Sequence, residues 1–276
     1  MRRLMSGAIY VLCALLGLLA FIYPLFAPGL MSSGQEMAGS QGQSTPLFTA
    51  LLVGLALIAL LIEVQGETIG AKTVAMLGVL VAGTSLLRFI EVAIPMPGGF
   101  SPIFAPIMLA GFVFGGRFGF LMGTFTVLAS ALITGGIGPW LPYQMFTAGW
   151  VGMTAGWLGM LPLRRVRAGA PYNAFGYREL LLLSIAGFLW GLLYGVIINL
   201  YFWPFAMGPA AQSYQTGLGL SDVLARYGAF YLATSLMWDM ARAVGNVALI
   251  ILLGAPMVRA LTRFKRRFHF EVQAHA

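Results

Sequence analysis

The chain has 276 residues, of which 59% are hydrophobic and only 9% charged, with a mean hydropathy of +0.88. Soluble domains hold roughly 45–50% apolar and about 25% charged residues, which excludes a soluble globular chain and a disordered one. The net charge of +8 sits in short segments between apolar runs, so it marks membrane topology and predicts no nucleic-acid partner.

Runs of spanning length, rather than short alternating ones, exclude an outer-membrane barrel and predict an all-α polytopic membrane protein. A hydrocarbon core about 30 Å thick needs roughly 20 apolar residues in a helix. On that scale about eight transmembrane helices follow, over 5–27, 46–62, 69–93, 103–115, 118–133, 143–161, 180–203 and 227–255. The first follows Arg2 and Arg3 but is too long for a signal-peptide core, and reads as a retained helix with a cytoplasmic N-terminus. The fourth is short and tightly paired with the fifth through Gly115, Gly116 and Arg117.

The positive charges fit this count. Arg2, Arg3, Lys72, Arg117, Arg164, Arg165, Arg167, Arg178, Arg259, Arg263, Lys265, Arg266 and Arg267 fall in cytoplasmic segments, and only Arg226 falls outside. The chain divides into a two-helix N-terminal membrane extension (1–67), a six-helix core (68–260) and a basic cytoplasmic tail (261–276). The two extension helices are joined by a Gly/Ser/Gln-rich external loop at 31–45.

Intramembrane charge is costly, at least about 2.5 kcal/mol per group at the bilayer centre, and is the first place to seek function. Arg88 and Glu91 lie three residues apart on the third span; Asp239 and Arg242 share that spacing on the eighth, with Asn246 a turn further. They are either two intrahelical staples or the polar floor of a pocket opening outward. The loop at 134–144 is stiffened by glycines and prolines, and offers Trp140, Tyr143 and Gln144 as walls of a small-molecule site or as interfacial anchors. Two prolines in the loop at 98–106 either set a packing angle or leave a helix N-terminus whose free amides face a ligand, and the loop at 204–224 is long enough for a lid.

Small residues on the third span, Ala71, Ala75, Gly78 and Ala82, allow close approach by another helix, of this chain or of a partner. Cys13 is the only cysteine, and His269 and His275 lie in the tail, so neither a disulfide nor an intramembrane metal site is expected. Walker A, GxSxG and HExxH patterns are missing, and no catalytic residue or cofactor is assigned.

Four stretches resemble a known family: KTVAMLGVLVA at 72–82 leading into Arg88, SPIFAPIMLAGFVFGGR at 101–117, TGGIGPWLPYQM at 134–145 and WDMARAVGN at 238–246. In order and topology they resemble the substrate-binding S component of energy-coupling-factor (ECF) transporters, over about residues 69–260. The resemblance implies a six-helix protein of the bacterial cytoplasmic membrane, with both termini cytoplasmic, that captures a vitamin externally. It also implies docking to a transmembrane scaffold subunit and two cytoplasmic ATPases, which hydrolyse the ATP. Alanines at four-residue spacing on the first core helix meet the scaffold in this family; here Ala71 with Ala75, or Gly78 with Ala82, take that place. Within the family the cobalamin-type members are nearest, and the two extension helices depart from the family pattern.

Two other readings stay open. An ion-coupled secondary transporter would use Glu91 and Asp239 as protonation sites, but no internal repeat is evident. A membrane-embedded lipid enzyme would use one of them as acid or base, but the chain shows neither nucleophile nor metal cluster.

Overall fold

A computed structural model describes residues 15, 17, 18, 21, 54, 71–94, 100–138, 140–161, 175–206, 208–215 and 217–268. The spans read at 5–27 and 46–62, apart from the first five of those positions, lie outside the described residues, as do the loop at 31–45 and the chain beyond 268. All regular structure among the described residues is helical. In chain order the helices are α1 (Ala71–Ala93), α2 (Phe104–Phe114), α3 (Gly116–Thr134), α4 (Leu141–Leu158), α5 (Tyr177–Phe202), α6 (Leu220–Thr234) and α7 (Leu236–Phe268). A 3-10 turn, Trp203–Phe205, follows α5.

Among the described residues, four helical stretches are long and apolar enough to cross a membrane: Lys72–Ala93, Gly116–Thr134, Tyr177–Phe205 and Leu236–Lys265. The exception that organises the bundle is α2. Its 11 residues rise only about 16 Å at 1.5 Å per residue, about half of a ~30 Å hydrocarbon core. Every residue from Phe104 to Gly111 is buried, and α2 packs against α3, α4, α5 and α7. The chain entering α2 is inside the bundle too, with Ser101 2% and Ile103 0% exposed. A half-length helix at the centre therefore lets polar backbone and side chains stand where a full helix would put apolar ones.

Gly115 ends α2 at φ 101°, a left-handed conformation that glycine adopts without penalty, and α3 starts at once. The α3–α4 pair is closed by glycines: a Cβ on Gly119 or Gly152 would run into the other's backbone. Such contact lets dispersion act between backbones where lipid supplies no hydrophobic drive. On α5, Gly187, Gly191 and Gly195 form a second stripe at four-residue spacing that receives Asn246, Ile250, Ala243 and Asp239 of α7. α1 packs chiefly on α3 through Leu77, Thr84 and Ser85, with Ser85 Oγ donating to the Thr126 carbonyl at 3.2 Å.

The structure revises the last predicted span. Residues 227–255 do not form one helix; α6 ends at Thr234 and α7 begins at Leu236. Ser235 takes φ −126°, ψ −29° while its Oγ accepts from Asn199 Nδ2 at 2.7 Å, and Thr234 Oγ1 bonds back to the Phe230 carbonyl. Hydroxyls that compete for backbone and side-chain partners bend helices in this way. At the other end, the segment read as a tail from 261 is helical through Phe268. Burial of Val258 and Leu261 holds it, and Lys265 Nζ donates to the Val113 carbonyl at 2.6 Å.

Candidate functional site

Both predicted ion pairs form within their own helices. Arg88 Nη1 lies 3.3 Å from Glu91 Oε1, and Arg242 Nη1 binds Asp239 Oδ1. A spacing of three residues brings these side chains over one another on α1 and α7. The first pair is partly open, at 26% and 17% side-chain exposure, while Asp239 is nearly sealed at 3%.

The pairs are joined through the chain that enters α2. Ser101 Oγ donates to Glu91 Oε2 at 2.8 Å, and the neighbouring Phe100 ring fills the space that a Cβ on Gly245 of α7 would need. Phe104, at the start of α2, packs edge-on against Tyr194 of α5 at 4.7 Å. The Arg242 guanidinium lies over both rings, 5.9 Å from Phe104 and 5.1 Å from Tyr194. A cation over two aromatic faces in a desolvated place is favoured by about 2 kcal/mol or more. Glu91 acts electrostatically on Arg242, and Arg88, Glu91, Asp239 and Arg242 all act on Tyr194. Direct pairing is thus intrahelical, while the field of the four charges is shared around one buried phenol.

Hydrogen bonding there is incomplete. Asn246 Nδ2 donates to the Gly187 carbonyl at 3.0 Å, but Asn246 Oδ1 and Arg242 Nε are buried without a partner among the described residues. Asp239 Oδ2 makes no close hydrogen bond, although the Tyr231 hydroxyl of α6 lies beside that carboxylate. Leaving such groups unpaired costs about 1–3 kcal/mol each, so the cluster has unmet demand for donors and acceptors.

Of the aromatic loop at 134–144, Tyr143 belongs with the cluster and Trp140 stands apart. The Tyr143 ring stacks on Tyr201 at 4.3 Å and meets Phe21 at 5.0 Å. Tyr201 interacts in turn with Tyr194, seven residues back on the same face of α5. Trp140 is 42% exposed; its ring covers Gly138 and its Nε1 donates to the Gly136 carbonyl at 3.1 Å. Gln144 is half-buried in the first turn of α4.

The segment read as a lid is tied down. Trp203 is buried, donates from Nε1 to the Gln212 carbonyl at 2.7 Å and packs edge-on against Tyr214 and Tyr227. Arg226 donates to the carbonyls of Ala210 at 2.7 Å and Ser213 at 3.2 Å. The Tyr227 hydroxyl donates to the Val196 carbonyl, so α6 is braced on α5 by tyrosines.

On α1, Ala75, Gly78 and Ala82 are exposed, and Gly78 lines an apolar groove of about 290 Å³ between α1 and α3. The helix at Ala71 is described, its side chain is not. Tyr194, Tyr201, Ser101 and Phe104 were not among the predicted site residues. The glycine spacing of α5 was a readable signal for the first two, because it announces which face of that helix meets a neighbour.

The family model for the ECF transporter, substrate-specific component, matches residues 72–254, all six helices of the predicted core. Neither the curated proteins nor the solved structures contain a match to the chain. A match over this much of the chain, together with the helical membrane fold, makes the protein a member of the substrate-specific components of ECF transporters.

Proposed function

We propose that this substrate-binding subunit captures a vitamin-like molecule at the end of the bundle that carries Glu91, Ser101 and the 134–144 loop. The observation that supports this is the convergence of Arg88, Glu91, Asp239 and Arg242 around Tyr194, with buried hydrogen-bonding capacity unused on Asp239, on Arg242 and, a turn further along α7, on Asn246. Tyr143 and Tyr201 extend that polar floor into an aromatic wall, with Trp140 and Gln144 at the rim. Aromatic surface with a few fixed polar groups is the usual composition of a small-molecule site. Cobalamin is the proposed substrate, on the strength of the sequence resemblance and the aromatic face. The tight pairing of both carboxylates with arginines speaks against their use as proton carriers.

In the same reading α1 is the docking helix. Ala75, Gly78 and Ala82 leave a smooth apolar strip on which a scaffold helix can lie closely, with the ATPases below. The basic end of the bundle, with Arg117, Arg178, Arg259 and Arg263, then faces the cytoplasm of a bacterial cell. Ligand carry-over tests the proposal. The full chain purified from cells fed cobalamin is expected to retain one corrinoid per chain, seen by absorbance and mass spectrometry. A chain that retains no small molecule, and takes up none of the vitamins offered, overturns it.

A further inference from the structure

An aromatic contact reaches the Tyr143–Tyr201 pair from a part of the chain that precedes the 72–254 matched to the family. Leu15, Gly17, Leu18 and Phe21 are helical, and their burial is one-sided: Leu15 and Leu18 are 57% and 52% exposed, while Gly17 and Phe21 are buried. Four residues apart, Gly17 and Phe21 share a helix face, and that face lies on α4. A Cβ on Gly17 would fall within 2.7 Å of the Phe146 ring and 2.8 Å of the Trp150 ring, so only a bare backbone fits there. Phe21 lands one turn on, edge-on to Tyr143 at 5.0 Å and tilted to Trp150 at 5.7 Å. Tyr143, Phe146 and Trp150, spaced at i, i+3 and i+7, are the matching face of α4.

The backbone of Tyr143 is already fixed. It stands in the first turn of α4, and its carbonyl accepts from Thr147 Oγ1 at 2.8 Å. What is left to place is the ring. Tyr201 stacks on it at 4.3 Å with the planes 13° apart, and Phe21 meets it at 66°. Stacked and edge-on pairs each have a preferred geometry, so two partners on crossed planes restrain the ring more than either does alone. Tyr201 interacts in turn with Tyr194, around which the four charges gather. Phe21, Tyr143, Tyr201 and Tyr194 thus form one aromatic series that ends at the charge cluster.

We propose that Phe21 is a positioning residue of the substrate site: its ring holds the Tyr143 side chain against Tyr201 in the orientation that receives the ligand. Phe21 acts through Tyr143 and does not itself touch the ligand. Gly17 serves by letting the helix come close enough for the two rings to meet. This role rests on the substrate site proposed above, and carries part of that site's support outside the segment that matches the family. A residue that merely filled space would lower the unfolding midpoint when truncated, yet leave the affinity of the folded chain unchanged.

Calorimetry on the full chain in detergent micelles tests it, with cyanocobalamin as the probe, or whichever offered vitamin the wild type retains. Phe21→Ala is expected to weaken binding by about 3- to 10-fold, the scale of one aromatic pair. Gly17→Ala, which lifts the helix with Phe21 still present, is expected to weaken it too. Leu18→Ala, on the exposed side, is expected to bind as wild type. In a Tyr143→Ala background, Phe21→Ala is expected to cause no further loss, because the ring it positions is gone. A fluorine label on the Tyr143 ring gives a readout without ligand: its resonance is expected to shift or broaden in Phe21→Ala and to stay as wild type in Leu18→Ala. Wild-type affinity or an unmoved fluorine signal in Phe21→Ala overturns the proposal. So do losses that add in the double variant, which would mean that Phe21 acts apart from Tyr143. A wild type that binds no vitamin overturns the site reading and this role with it, whereas a wild type that binds while Phe21→Ala changes nothing overturns this role alone. Should Phe21→Ala not fold, Phe21→Leu, which keeps an apolar side chain without a ring edge, carries the same comparisons.

Discussion

Gly195 of α5 and Asp239 of α7 are so close that a Cβ on the glycine would fall on the aspartate's carboxylate. The ion pair between Asp239 and Arg242 therefore exists in its present position only because α5 withholds a side chain there. Gly195→Ala is expected to displace the carboxylate and lower stability by about 1–3 kcal/mol, the range for overpacking a closed interface. Thermal unfolding of the purified chain in detergent measures this. Gly228→Ala is the control, because its added Cβ meets nothing within 4 Å, and it should leave the midpoint unchanged or slightly higher.

Breaking the sealed pair should cost more than deleting it. Arg242→Gln leaves the Asp239 carboxylate buried beside Tyr194 with its partner gone, a loss of about 3–5 kcal/mol. The double change Asp239→Asn with Arg242→Gln removes both charges and should recover a good part of that loss in the same unfolding assay. A double variant no more stable than the single would mean that the cation's stacking on Phe104 and Tyr194, rather than charge balance, dominates.

The site proposal separates two aromatic residues that look alike in sequence. Tyr143→Ala removes a ring stacked on Tyr201 and should weaken ligand binding by about 1–3 kcal/mol, measured by calorimetry. Trp140→Ala removes a half-exposed ring folded on its own loop and should cost less than half as much. Equal losses would place the ligand over the 134–144 loop instead of beside the tyrosine pair.

Assembly should depend on the open strip of α1. Gly78→Trp or Ala82→Trp adds bulk on the exposed face of α1, so folding and ligand binding should persist. Co-purification with scaffold and ATPase subunits should fall to background. Loss of ligand binding along with assembly would point to misfolding and count against the docking role.

The cover over α5 should loosen when Arg226 is changed. Its guanidinium holds two carbonyls of the 208–215 turn, and Arg226→Gln gives up about 1 kcal/mol of that tether, roughly fivefold in local opening. Hydrogen exchange across 208–215 should accelerate by that factor while exchange in α5 stays constant.

Among the described residues, hydropathy alone made the helical membrane architecture and most spans legible, because an unbroken apolar run has few alternatives to a helix. The charge pairs were legible for the same local reason, a spacing of three. The break at Ser235 was not: the Thr234–Ser235 pair sits in a mostly apolar run, and its cause includes a hydrogen bond from Asn199, thirty-six positions away. The path from Glu91 to Ser101 depends on a loop entering the bundle at the head of a half-length helix, which no periodicity encodes. Gly187, Gly191 and Gly195 display their spacing openly in the sequence, yet only packing names α7 as the helix they admit.

The Phe100–Ser101 dipeptide has a practical consequence for building chimeras between relatives. Phe100 needs a bare Gly245 on α7 to rest on, and the adjacent Ser101 needs Glu91 on α1 to donate to. Grafting α1, α7 or the loop singly from another protein would unseat one of these two neighbours and pull the other with it. The three pieces form one transplantable unit, and their packing can be moved intact only when all of them travel together.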